Sequence, residues 1–274
     1  MAKPLIILDS GHAKNTAGKV APDKSMYEWE FNNAMQYKIK TRLEQLGFQV
    51  YLTNPNPSTV SDISLTKRAT LANNKWVALG KPNSLFVSLH ANAYGVWTNA
   101  NGVEVYHAKN ASSKSKNCAS IVCKHIHNTL KSLRSDSVNR GVKSQNFTVI
   151  YKAKMPSILI EYAFYTNKKD LAILKNKRDN LCEATVKALC ECFGITYKAP
   201  TVKKEETQKS FLVKIMYDGK EGLNIRAEAN LTSKVVGQVY EGQVFTIVEV
   251  KNNMYKLKSG AGWISANSKY VKKM

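Results

Sequence analysis

The chain has no apolar run approaching the ~20 residues that a membrane-spanning helix needs, so insertion into a membrane is not expected. Its start also lacks the build of an export signal. Met1-Ala2-Lys3-Pro4 leads straight into Leu5-Ile6-Ile7-Leu8, which is too short and too soon polar, and synthesis in the cytoplasm without a signal peptide is the expectation. Cysteine is scarce and uneven. The five residues Cys118, Cys123, Cys182, Cys190 and Cys192 contain no C-x-x-C pair, which argues against a disulfide framework or a structural zinc knot and leaves buried thiols. Acidic residues are few, 20 against 41 lysines and arginines, for a formal net charge of +21. Such a field draws a protein towards polyanions: nucleic acid, an anionic membrane, or the phosphate-rich polymers of a bacterial wall. The lysines are scattered, with no basic stripe interleaved by aromatics, so nucleic acid is not the expected partner. Nothing in the pattern sets an oligomeric state.

What is present is enough for one large domain and one small one: 274 residues, 43% of them hydrophobic. Over 1–196, short apolar runs alternate with helical patterns. Strands are predicted at 5–8, 49–52, 85–90, 103–106 and 157–162, and helices at 28–46, 64–73, 118–133 and 169–193, the last in one piece or two. Such alternation predicts an α/β domain, a mostly parallel sheet flanked by helices. Gly194 stands where a helix would be capped. Residues 197–210 carry almost no large apolar side chain and read as a charged linker. Residues 211–274 are short β-rich runs separated by Asp218-Gly219, Glu221-Gly222, Glu241-Gly242, Asn252-Asn253 and Gly260-Ala261-Gly262, the pattern of a small all-β barrel of hairpins. A barrel of that size is more often a binding module than the host of catalysis.

Four polar residues in the larger domain stand out. His12 follows a buried strand on the turn Asp9-Ser10-Gly11-His12, where open α/β sheets place functional groups. His90 closes Leu85-Phe86-Val87-Ser88-Leu89-His90, sharing a strand face with Ser88 and Asn92. A satisfied core histidine would read the same way. Glu161 closes the apolar run Ser157-Ile158-Leu159-Ile160, where burial would raise its pKa and suit it to proton transfer. An ion pair with a lysine is the alternative. Glu28 and Glu30 both open the first long helix. At 100° per residue Glu28 aligns with Met35, Ile39 and Leu46 on the apolar face, and Glu30 points away. Two histidines and a glutamate form a common ligand set for catalytic zinc, with a second glutamate to take a proton from water. His125 and His127 diverge on a helix, His107 has no acidic neighbour, and all three read as surface or structural.

In these motifs the sequence resembles the zinc-dependent N-acetylmuramoyl-L-alanine amidases of the amidase-3 type, found in autolysins and phage endolysins. The ordered landmarks are Asp9-Ser10-Gly11-His12, Glu28 with Asn32, Ser88-Leu89-His90-Ala91-Asn92, Arg140-Gly141-Val142-Lys143, and Met155-Pro156 leading to Glu161-Tyr162-Ala163-Phe164. The resemblance implies that His12, Glu28 and His90 hold Zn2+, that Glu161 is the catalytic acid/base, and that the substrate is peptidoglycan, cut between N-acetylmuramic acid and L-alanine. Ala13-Lys14 stands where many members have two glycines, and Tyr162-Ala163 where a small residue and glycine are commoner. Both departures bear on groove shape. Leu223-Asn224-Ile225-Arg226, Glu241-Gly242 and Gly262-Trp263-Ile264 resemble bacterial SH3-like domains, which implies wall targeting; Tyr217, Tyr255 and Trp263 are aromatic candidates there. A phage endolysin acting at the wall, aided by attraction to anionic wall polymers, is the expected role. The alternatives are a zinc peptidase cutting within the stem peptide or cross-link and a non-catalytic wall-binding protein.

Overall fold

The computed structural model describes residues 3–57, 62–200 and 210–274. Their contacts divide into two units that meet between Ala199 and Pro200. Most of the expected linker, residues 201–209, lies outside the described residues.

The first unit runs β1 (Leu5–Ser10), α1 (Glu28–Gln45), β2 (Gln49–Leu52), α2 (Leu65–Ala78), β3 (Ser84–Asn92), β4 (Val103–His107), α3 (Ser113–Leu133), β5 (Asn139–Ser144), α4 (Thr148–Tyr151), β6 (Ser157–Phe164), α5 (Lys168–Asn176) and α6 (Arg178–Phe193). Its six strands form one sheet in the order β2-β1-β3-β6-β4-β5. Neighbours run parallel except β4 against β6. The unbroken apolar runs follow from burial of both faces. Ile6, Leu8, Val87, Leu89, Ile158 and Ile160 pack on one side with Phe31, Met35 and Ile39 of α1 and with residues of α3 and α6. Leu5, Ile7, Phe86 and Leu159 face the other side, against Ala72 of α2 and Val149 and Ile150 of α4.

Helix ends follow local chemistry. Ser64 caps α2, Ser112 caps α3, and the Asn167 side chain accepts from the amides of Lys169 and Asp170 at the start of α5. Lys177 breaks the 169–193 pattern into α5 and α6, and Gly194 ends α6 at φ 65°, in the left-handed region. The sequence reading passed over β5 and α4. Asn139–Ser144 offers one large apolar residue, Val142, because it is an edge strand exposing much of its length, and α4 is a single turn too short to show a period.

The second unit contains β7 (Phe211–Ile215), β8 (Leu223–Arg226), β9 (Val235–Val239), β10 (Val244–Lys251), β11 (Met254–Leu257), β12 (Trp263–Ser265) and β13 (Val271–Lys273). All pairs are antiparallel, in the order β13-β7-β10-β11-β12-β8-β9. Asn252 and Asn253 both have positive φ, 49° and 56°, as the tight turn between β10 and β11 requires. Its core gathers Val213, Ile215, Leu223, Ile225, Val239, Ile247, Leu257, Ile264 and Val271, with Tyr217 and Tyr255 packed against it. Trp263 is buried with Ala229 and Met254, so it serves packing. Strand β13 was too short to register in the sequence pattern. Among the described residues no helix is long and apolar enough to cross a membrane.

Candidate active site

Parallel strands deliver their carboxyl ends to one edge, and three of the four singled-out residues arrive there on β1, β3 and β6. His12 lies two residues past β1 and His90 near the end of β3. Glu161 on β6 is the register partner of His90. The fourth, Glu28, enters at the first residue of α1 and is buried, whereas Glu30 is exposed. Glu30 turns back so that its carboxylate accepts from the Tyr27 amide at 3.5 Å. One acid faces the site; the other caps the helix.

Glu28 is the hub. Its Oε2 lies 3.3 Å from His12 Nε2 and its Oε1 lies 3.0 Å from His90 Nδ1. The amide of Ala91 donates to Oε1 at 3.3 Å, and Asn32 Nδ2 stands 3.4 Å from the same oxygen. The two imidazoles meet edge to face, ring centres 5.1 Å apart. One ligand atom from each of His12, Glu28 and His90 lies within 4.8 Å of the others, so the three could hold a metal ion. Burial alone would raise the Glu28 pKa, but the hydrogen bonds and charges of His12 and His90 outweigh it, holding the carboxyl well below its ordinary range.

The turn carrying His12 is unusual: the histidine sits at φ 63°, a conformation non-glycine residues seldom adopt. Side chains hold it in place. Asn54 Nδ2 donates to the carbonyls of Ser10 at 3.2 Å and His12 at 3.1 Å, and Asn32 Nδ2 donates to that of Gly11 at 3.0 Å. The fully buried Arg68 also donates to the Ser10 carbonyl and pairs with Asp62 and Asp9. The Asp9 carboxylate accepts from Thr53 at 2.5 Å and Ser88 at 2.8 Å. Gly11 is required for a different reason, because a Cβ there would stand 2.1 Å from His90 Cε1.

Glu161 is the opposite of Glu28. Its Oε2 is buried and has no hydrogen-bond partner among the described residues. Burial, reinforced by the negative charges of Glu28 and Glu104 and only partly offset by Lys19, pushes its pKa well above the ordinary value. Two carboxyl groups of one cluster are thus displaced in opposite directions, Glu28 towards its charged form and Glu161 towards its neutral form. Glu104, which the sequence reading missed, is register partner to Glu161 from the antiparallel β4. It collects donors: Asn92 Nδ2, Tyr106 Oη and Arg140 Nε, each at 2.7 Å, and Lys143 Nζ. Burial works to raise its pKa, but Lys143, Tyr106, Arg140 and Asn92 together bring it down to about 2. An acid between two buried valines, Val103 and Val105, was the available signal.

The remaining histidines stay outside this cluster. His125 pairs with Glu191 at 2.6 Å, and His107 Nδ1 lies 2.8 Å from the Ala108 carbonyl. His127 Nδ1 is buried without a partner. All five cysteines are free thiols, four of them buried.

An α/β sheet whose carboxyl edge gathers three side chains able to hold a metal, with a carboxyl of raised pKa in the same cluster, has the equipment of a hydrolase. Residues 6–191 match the family described as N-acetylmuramoyl-L-alanine amidase, and residues 221–272 match the bacterial SH3 domain. The endolysin of Bacillus phage SPP1 is 28% identical, with 97% of each chain covered. The N-acetylmuramoyl-L-alanine amidase LytC of Bacillus subtilis is 30% identical over 62% of this chain and 31% of its own length, so the chain spans about a third of that relative. The catalytic domain of the amidase CwlV from Bacillus (Paenibacillus) polymyxa superposes with TM-score 0.60 at 28% identity, covering 70% of this chain and 99% of that one.

The chain therefore belongs to the N-acetylmuramoyl-L-alanine amidase family and carries a bacterial SH3 domain behind its catalytic unit. It is a peptidoglycan hydrolase, acting on the amide between N-acetylmuramic acid and the first L-alanine of the stem peptide.

Proposed function

We propose that His12, Glu28 and His90 hold a catalytic Zn2+ and that Glu161 moves the proton in the amidase reaction. The observation carrying this reading is the contrast within one cluster. Three ligand atoms gather within 4.8 Å, and in the same cluster stands Glu161, whose buried Oε2 has no hydrogen-bond partner among the described residues. A zinc ion held by that trio supplies a Lewis acid for the scissile carbonyl and lowers the pKa of the attacking water. The Ala91 amide and Asn32 fix the Glu28 carboxylate. The carbonyl contacts of Asn54 and Asn32 fix the His12 turn. Glu161 Oε2 takes the proton from the attacking water and returns it to the leaving nitrogen of L-alanine. The products are a glycan strand bearing free lactyl carboxylates and stem peptides with a new L-alanine amino terminus. Mass spectrometry of digested wall tests this. Fragments cut within the stem, with alanine still joined to the sugar, would overturn the assignment.

Gly11→Ala should keep the fold, since the added methyl meets a side chain, while pushing the His90 ring out of place. A loss of about 10- to 100-fold in metal affinity, typical for displaced ligand support, should appear on dialysis against graded zinc buffers. Unchanged affinity would mean that the ring position does not matter.

In the same proposal, residues 1–196 form the catalytic domain, 197–210 the linker and 211–274 a domain that tethers the enzyme to the wall. Each unit has a core of its own, and the net charge of +21 would add attraction to anionic wall polymers. Likeness to a phage endolysin along nearly the whole chain supports action at the wall as a phage lysin. Expressed separately, the two units should each unfold cooperatively. The first should still cleave soluble muropeptides, and the second should sediment with walls in inactive form. A second unit left in the supernatant with every wall tried would end the targeting role.

A further inference from the structure

We propose that a cavity on the segments that follow β3 and β6, lined by Trp97, Asn99, Asn101, Arg134 and Asn167, binds a neutral N-acetylated sugar of the glycan strand. The inference rests on the amidase reading and adds to it where the strand lies. The cavity holds about 580 Å3, within the roughly 300–1,000 Å3 usual for small-ligand sites. Its lining stands on segments that leave the strand ends carrying the chemistry. Trp97 lies seven residues beyond His90, on the segment between β3 and β4, and Asn167 six beyond Glu161. Hydrogen bonds tie the two segments together: Thr98 N to the Thr166 carbonyl at 3.0 Å, Asn167 Nδ2 to the Thr98 carbonyl at 3.1 Å, and Tyr94 N to Thr166 Oγ1 at 3.0 Å. The lining is therefore one bonded unit beyond the carboxyl ends of β3 and β6.

The chemistry of the lining favours a sugar over an anion. Three cations line the cavity, but most of their charge is already matched. Arg134 pairs with Asp136 at 2.8 Å and with the buried Asp170 at 2.6 Å, and Lys169 reaches Asp136 at 2.9 Å. Lys168 Nζ sits 5.4 Å from the centre of the Trp97 ring. What remains open is the part of the Trp97 surface that Lys168 does not cover, together with the Asn99 amide. Trp97 is 41% exposed, an unusual state for a residue whose size favours burial. The C–H face of a pyranose suits an indole, and hydroxyl and acetamido groups suit side-chain amides. The exposed Asn99 side chain makes no hydrogen bond among the described residues, and Asn101 Oδ1 is held by the Val138 amide at 3.0 Å, leaving its amino group towards the Asn99 carbonyl at 3.2 Å. An amidase must hold the strand whose muramoyl group it cleaves, and this cavity is where one neighbouring sugar fits.

The test uses the full chain with two substrate series: muropeptides whose glycan part grows from one sugar to several, and peptide-free oligosaccharides of the same strand. The parent should show kcat/KM rising about tenfold or more from the single-sugar substrate to the longest. Trp97→Ala and Asn99→Ala should flatten that rise, and peptide-free oligosaccharide should change the tryptophan fluorescence of the parent but not of Trp97→Ala. A parent that cleaves every substrate with no length dependence, or variants that keep the parent's ratio, would overturn the sugar site while sparing the amidase assignment. No cleavage of any substrate by the zinc-loaded parent would instead sink the amidase reading. If a glycerol phosphate polymer bound in a Trp97-dependent way and the oligosaccharide did not, the cavity would be an anion site and the proposal wrong.

Discussion

Treatment with a strong chelator should abolish wall lysis, and stoichiometric zinc should restore it. A metal that supplies about 4 kcal/mol of transition-state stabilisation is worth roughly a thousandfold in rate, so residual lysis should fall by at least that order. The fold should survive, because the sheet packs on both faces through apolar contacts independent of the cluster. His12→Ala and His90→Ala should each lower bound zinc measured by elemental analysis. Glu28→Ala should do so too, and should also leave two imidazoles without their shared partner. Glu30→Ala should keep the metal, since Glu30 only reaches back to the Tyr27 amide. Acid should release zinc as well, because protons compete for the imidazoles. Full lysis after verified removal of the metal would end the zinc mechanism.

The second large effect belongs to Glu161→Gln. Loss of a general acid/base typically costs about 10²- to 10⁴-fold, and the variant should show that fall in kcat with zinc content unchanged. Stability supplies an independent readout. A carboxyl whose folded pKa is raised binds its proton more tightly folded than unfolded. It therefore favours the fold below the ordinary value of 4.5, and that contribution is lost as pH rises from there towards the folded pKa. Each unit of displacement is worth about 1.4 kcal/mol. Stripped of metal, Glu161→Gln should consequently melt above the parent at pH 7, and the gap should close near pH 4. Glu28 acts in the opposite sense: its lowered pKa stabilises above the ordinary value and is lost as pH falls. Equal melting of parent and Glu161→Gln at pH 7 would contradict the burial assigned to Glu161.

The sequence disclosed those residues that break a strong local pattern. His90 and Glu161 interrupt unbroken apolar runs, and the phase of α1 separated Glu28 from Glu30 without reference to any other segment. The strand and helix order of the first unit was legible for the same reason, since both sheet faces are buried and the runs are long. What escaped depends on pairings between distant segments. Strand β5 is mostly polar and becomes a strand only by pairing with β4. Glu104 gains its role because β4 runs antiparallel beside β6 and sets it against Glu161. Asp9 stands three residues before His12, yet its carboxylate is claimed by Thr53 and Ser88 from other segments.

The closeness of Gly11 to the His90 ring also limits how this lineage can change. While the imidazole occupies that space, position 11 admits no side chain without displacing it. Were His90 first exchanged for a smaller residue, the space would open and position 11 could accept a methyl group. A later return of histidine at 90 would then meet an occupied place and bring back a crippled site. The two positions behave as a ratchet, in which the order of substitutions decides whether loss of function can be reversed.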